Sequence, residues 1–300
     1  MATKLKEGLD HHYSLSNDFF KAFLDGPTLS YTCCYFLRPD ETLEEAARHK
    51  LDLVARKLEL SPGDRVLDLG CGWGNFALYA AEEHGCTVTA VNLADEQIRH
   101  LRDEVARRAL EDRVEVLETD GAKLEVSRPW DKVAVIGMSE HVEDKASFFR
   151  RLRGYARPGG LLLLHAIMTP RPVEEIPDGG SWDFLKTHIF PVGELKPLGY
   201  HVAALEEESF EVLDVESLTD HYALTCLKWL RNLEAEEERL VADGVVDRAT
   251  VRHYKLYLAG SAKSFAGNHN HIYQILARPF VPYSARPRRP LTRRGMVIEP

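Results

Sequence analysis

From residue 65 onward, short runs of β-branched and other apolar residues alternate with longer stretches in which apolar side chains recur every three to four positions. The strand-like runs are 65–69, 87–92, 114–117, 132–136 and 161–165, with later ones at 210–215 and 271–276. Helical spacing marks 76–83, 95–110 and 145–155 between the strands, 43–58 ahead of them, and 222–242 and 249–265 after them. Such alternation predicts a parallel sheet covered on both faces by helices. The rhythm breaks after His165, where Pro170, Pro172, Pro177, Gly179 and Gly180 interrupt it. An insertion at about 168–207 is well placed to cover a pocket. Residues 12–36 are rich in aromatics, and no internal repeat is visible.

Length and charge narrow the reading. A chain of 300 residues fits one elaborated α/β domain. With 47 acidic against 38 basic side chains, its net charge of -9 argues against nucleic acid as a partner. No apolar stretch approaches the roughly 20 residues that cross a bilayer, and Met1 to Asp10 lacks the apolar core of a signal peptide, so a cytoplasmic protein is expected. Cys33, Cys34, Cys71, Cys86 and Cys226 form no CxxC pair, which predicts reduced thiols and no metal site. A Pro- and Arg-rich tail, 281–300, is expected to lie outside the fold, as a surface arm or a disordered end, with peripheral membrane contact left open. The run Glu206-Glu207-Glu208 reads as solvated helix surface.

The strongest local signal is Val66-Leu67-Asp68-Leu69-Gly70-Cys71-Gly72-Trp73-Gly74-Asn75, a strand that enters a loop with glycine at alternate positions and leaves into a helix. Glycines there let the backbone lie against a ligand. The spacing is GxGxG, not the GxGxxG that seats a pyrophosphate, and Asp68 suits a ligand bearing an ammonium group. A tight packing turn is the bland alternative. At the end of the second strand, where a nucleoside site often has a carboxylate, the chain has Asn92, then Leu93 and Gln97, whose amides can bond ribose hydroxyls.

Several motifs in order make the chain resemble the cyclopropane fatty acid and mycolic acid cyclopropane synthase family, with its plant N-methyltransferase relatives. They are His12-Tyr13-Ser14-Leu15-Ser16-Asn17-Asp18-Phe19-Phe20, Tyr31-Thr32-Cys33-Cys34-Tyr35-Phe36, the glycine loop, Glu140-His141-Val142, Leu164-His165, His188-Ile189-Phe190-Pro191 and His221-Tyr222. The resemblance implies a class I S-adenosylmethionine-dependent methyltransferase fold, a mostly parallel seven-stranded sheet with N-terminal helices and a helical cap. It implies cofactor contacts from Tyr31, Thr32, Gly70, Gly72, Gly74, Asn92, Leu93 and Gln97, with the backbone near Gly121 and Ile136. It also implies a bicarbonate ion beside the transferred methyl, held by Cys33, Glu140, His165 and Tyr222.

Alkene methylation explains why such groups would be needed. An unactivated alkene must be held in line with the sulfonium methyl in a dry pocket. The resulting carbocation is stabilised by aromatic faces, for which Tyr13, Tyr31, Tyr35, Phe36 and Trp182 are candidates. Ring closure needs a base, and Glu140 with His165 would position a small anion and accept its proton. Taken singly, Cys33, His165 and Tyr222 also read as core residues, whereas Glu140 after an apolar strand needs a partner.

Three departures bear on the acceptor. Ser139 and Gly121 stand where the family has aromatics, and 192–197 replaces a small polar motif of the lid. The expected activity is C-methylation or cyclopropanation of an acyl chain. The alternatives are methylation of a non-lipid metabolite, including N-methylation, and a non-catalytic protein that binds the cofactor only.

Overall fold

The computed structural model describes residues 15–170, 184–185, 187–189, 193–282 and 287–298. Tyr13, Trp182, Phe190, Pro191 and part of the expected cap lie outside the described residues.

Seven strands form one sheet: β1 (Arg65–Leu69), β2 (Thr87–Asn92), β3 (Val114–Glu118), β4 (Trp130–Ile136), β5 (Ala156–Met168), β6 (Phe210–Ser217) and β7 (His271–Pro279). Their order is β3-β2-β1-β4-β5-β7-β6, parallel throughout except for β7, which runs antiparallel between β5 and β6. The central strands are buried on both faces, which is why they read as continuous apolar runs and not as alternating ones. Helices α1 (Asn17–Phe23), α2 (Leu43–Lys57), α3 (Asn75–His84), α4 (Asp95–Arg107), α5 (Lys145–Tyr155), α6 (Leu198–Glu207), α7 (Thr219–Ala242) and α8 (Arg248–Ala266) complete the fold.

Local chemistry sets where the helices begin. Thr42 and Glu45 form a reciprocal capping box that satisfies two N–H groups at the start of α2. Asp144 and Asp247 accept N–H bonds from Ser147 and Thr250 and so start α5 and α8. An apolar cluster joins α1 to α7 and α8: Phe19 meets Tyr254 edge-on at 4.8 Å, and Phe23 approaches Trp229 at 6.5 Å. Trp73 of the glycine loop donates its indole N–H to Asn17 at 2.8 Å, so α1 is tied directly over that loop.

At the end of the range expected to form the cap, α6 buries Ala204 and Leu205 in the same cluster as Phe149 and Phe210. Residues 287–298 of the tail run along the surface at the sheet edge, where Arg289 pairs with Glu59 at 2.7 Å and Arg293 with Asp214 at 2.8 Å. Glu59, just past the end of α2, and Asp214 of β6 give the arginines partners that composition alone did not reveal.

Candidate active site

Sheet order reverses direction at β1 and β4, and open α/β sheets bind ligands at such a switch point, beyond the carboxyl ends of the strands. The glycine loop leaves β1 there. Gly70, Gly72 and Gly74 all have left-handed backbones, with φ of 72°, 57° and 84°. A Cβ on Gly70 would lie 2.6 Å from Met138, and one on Gly74 would lie 2.1 Å from Leu101, so those two glycines serve packing. At Gly72 the nearest atom would be Gln97 Nε2 at 3.9 Å, so a side chain there would enter the ligand cleft.

That cleft, of about 70 Å³, is lined by Gly70, Gly72, Asn92, Leu93, Gln97 and Gly121 among the expected residues. Asn92 is held by three bonds: it donates to Gly72 O at 3.2 Å and Gln97 Oε1 at 2.8 Å, and accepts from Leu93 N at 2.9 Å. Thr119, Asp120, Gly137 and His141 line it too, and the sequence reading missed them. Asp120 accepts from Ala122 N at 3.0 Å and pairs with Lys123 at 2.9 Å.

Asp68, Gly74 and Ile136 do not line the cleft. The Asp68 carboxyl lies beneath the loop, where burial pushes its pKa up to about 7 against the opposing pull of Lys50 and the Ala77 N–H. Lys50 is itself fully buried, with no hydrogen-bond partner for Nζ among the described residues. Asp68 Oδ2 likewise has no hydrogen-bond partner among the described residues.

Beyond Gly137 and His141, which the two spaces share, lies a second cavity of about 140 Å³. Ile167, Leu185, Leu195, Phe265 and Ile272 make much of it apolar, and Tyr31, Thr32, Glu140, His165 and Tyr222 face it. Glu140 sits on a short 3-10 turn, Ser139–His141, directly after β4. Its carboxylate accepts from Ile167 N at 2.8 Å and from Ser139 Oγ at 3.4 Å, and its carbonyl accepts from Glu194 N at 2.9 Å. Lys145 holds the turn from behind through the carbonyls of Ser139 and Val142 at 2.9 and 3.0 Å.

His165 pairs in register with Ile136 of β4 and Gln274 of β7. It is fully buried, and burial with the charges of Lys50 and Lys57 lowers its pKa to about 3. It is therefore neutral at physiological pH. Nδ1 is 3.1 Å from Gln274 Nε2, and Nε2 has no partner among the described residues. Tyr222 stacks on Phe265 at 4.5 Å, and burial first, then Tyr257, holds its phenol well above the ordinary range, so it keeps its proton.

Cys33 does not line this cavity. Its thiol points to Cys34 O and Leu218 O at 3.2 and 3.6 Å, and burial keeps it protonated. Cys226 occupies the wall instead. The segment around Cys33 is nonetheless fixed against the helix that carries Tyr222: Cys34 N donates to Thr225 at 3.1 Å, Phe36 N donates to His221 at 3.0 Å, and Tyr35 stacks on that imidazole at 4.5 Å. Tyr35 and Phe36 thus pack on α7 and leave Tyr31 as the described aromatic from that motif on the cavity wall.

A glycine cleft at the head of β1, in a sheet whose seventh strand runs backwards beside β5, is the frame of the class I S-adenosylmethionine-dependent methyltransferases. Within that class, the chain belongs to the mycolic acid cyclopropane synthetase family, whose model matches residues 2–275. It is 39% identical over 274 residues to a probable fatty acid methyltransferase of Pseudomonas putida, covering 90% of this chain and 68% of that one. Among solved structures it is similar to the mycolic acid cyclopropane synthase CmaA1 complexed with SAH and CTAB, at 32% identity and a TM-score of 0.83 over 91% of this chain and 98% of that one. It is also similar to coclaurine N-methyltransferase bound to N-methylheliamine and SAH, at 27% identity and a TM-score of 0.79 over 91% and 82%. Among the described residues, no helix is long and apolar enough to cross a membrane.

Proposed function

We propose that the chain transfers the methyl group of S-adenosylmethionine to an alkene carbon of an acyl chain and removes a proton from the transferred methyl. The observation that carries this reading is the cavity beyond Gly137: apolar walls, the carboxylate of Glu140 and the Nε2 of His165, unpartnered among the described residues, share one space next to the glycine cleft.

The residues fit both S-adenosylmethionine and a bicarbonate ion. Gly72 leaves the cleft open where a Cβ would intrude, and Asn92, Leu93, Gln97 and Gly121 would hold the nucleoside. An oxyanion of the bicarbonate type suits the cavity, because His165 and Tyr222 can donate to it and Glu140 can accept from its hydroxyl. When bound, the cofactor supplies an electrophilic methyl and the bicarbonate a small base. The protein's own part is positional and electrostatic. Ile167 N–H and Ser139 orient Glu140, the apolar wall excludes water, and the faces of Tyr31, Tyr222 and Phe265 lower the cost of positive charge on the acceptor.

A second reading, a functionalised non-lipid acceptor, is favoured by Ser261 and Asn270 on the cavity wall and by the missing rings at Ser139 and Gly121. Incubation with methyl-labelled S-adenosylmethionine and either unsaturated phospholipid vesicles or a cell extract separates the two. Label in the lipid fraction supports the first, and label in a polar or aromatic metabolite supports the second.

A further inference from the structure

His165 and Gln274 face each other across β5 and β7, and neither side chain is exposed. Each end of the Gln274 amide has one neighbour. Lys57 Nζ is 2.7 Å from the carbonyl oxygen, and His165 Nδ1 is 3.1 Å from the nitrogen. Lys57 is held in turn by Glu216 at 2.5 Å, with Asp214 at 3.9 Å, and both carboxylates oppose the effect of burial on its charge.

This arrangement leaves little freedom. An ammonium can only donate, so Lys57 fixes which end of the amide is oxygen. The amide nitrogen can only donate too, so Nδ1 of His165 must accept. In a neutral imidazole the proton then sits on Nε2, the atom without a partner, on a ring that lines the cavity. Leaving such a buried N–H unpaired forfeits the hydration it lost on burial, a cost that an acceptor bound in the cavity would relieve.

We propose that Gln274, backed by Lys57, is a positioning residue that locks His165 in its Nε2–H tautomer, so that the histidine presents a fixed donor to the cavity and does not serve as a base. The sequence-based expectation that His165 helps to accept a proton is thereby revised, and acceptance falls to Glu140 and the group bound beside it. The inference rests on the preceding reading only for what receives the hydrogen bond.

The test is two-bond proton–nitrogen NMR on the full chain with imidazole-labelled histidine, the His165 signals being assigned with His165→Gln. The wild type should show the Nε2–H tautomer at neutral pH. In Gln274→Glu the new carboxylate can still accept from Lys57 but also accepts from His165, so the proton should move to Nδ1 or the ring should become charged. Turnover on unsaturated phospholipid vesicles should then fall about 10–100-fold in kcat, with unchanged affinity for S-adenosylhomocysteine. Lys57→Met, which frees the amide to turn over, should yield a mixture of tautomers. An Nδ1–H tautomer in the wild type, an unmoved tautomer in Gln274→Glu, or a moved tautomer with undiminished kcat would each overturn the proposal. The spectra need no acceptor, so they remain decisive even if phospholipid proves to be the wrong substrate.

Discussion

The carboxylate of Glu140 accepts the backbone N–H of Ile167 at 2.8 Å, which joins the turn after β4 to the end of β5 and points the acid into the cavity. Glu140→Gln preserves an oxygen for that N–H and removes the charge. It should leave S-adenosylhomocysteine affinity within about twofold and lower turnover by at least about 100-fold. Calorimetry and a label-transfer assay check the two halves, and undiminished turnover would remove Glu140 from the chemistry.

The glycines of the loop should separate by role. Gly74→Ala forces a Cβ to within 2.1 Å of Leu101 on a left-handed backbone, so chemical denaturation should show a loss of about 2–4 kcal/mol. Gly72→Ala meets no such clash and should cost about 1 kcal/mol, while weakening S-adenosylhomocysteine binding at least about tenfold. Equal stability losses with intact binding in both variants would contradict a ligand-facing Gly72.

His201 gives a pH signature outside the cavity. It is buried, with Nδ1 3.0 Å from Pro197 O, and burial lowers its pKa from 6.5 to about 4. Below pH 6.5 the unfolded chain takes up a proton that the native histidine refuses, so this contribution to stability is complete above pH 6.5 and is lost as the pH falls toward about 4. His201→Gln should flatten the acid limb of stability against pH by up to about 1.4 kcal/mol per pH unit. An unaltered slope would mean that His201 titrates normally in the folded protein.

What could be read from the sequence was whatever a local pattern carries. All seven strands were legible because each is a short apolar run closed by a turn, and the glycine loop announced itself by spacing. Helix α1 was not, since its seven residues, NDFFKAF, are too short to display a period and its three phenylalanines read equally as loop aromatics. The cavity wall was partly hidden for a different reason. Gly137, Cys226, Tyr257 and Gln274 reach the site or its support only through tertiary packing, although a lone amide inside the apolar run of β7 was a signal that something polar had to meet it. Cys33 shows the converse: its motif was legible, but backbone direction turns the thiol toward Leu218 O and away from the site.

The returning tail should contribute stability without touching catalysis. Arg289 and Arg293 pair with Glu59 and Asp214 at the sheet edge, far along the chain from the cleft. Replacing both arginines by alanine should lower unfolding free energy by about 1 kcal/mol and leave S-adenosylhomocysteine affinity unaltered. A large loss of affinity would show that this edge is coupled to the cofactor site.

Removal of a proton from the transferred methyl can be counted directly. With S-adenosylmethionine carrying a fully deuterated methyl group and monounsaturated phospholipid vesicles as acceptor, mass spectrometry of the product fatty acids reads how many deuterium atoms arrive per transfer. Proton removal predicts two in the wild type and almost no product in Glu140→Gln. Three retained deuterium atoms, or unlabelled lipid beside a labelled polar metabolite, would contradict it.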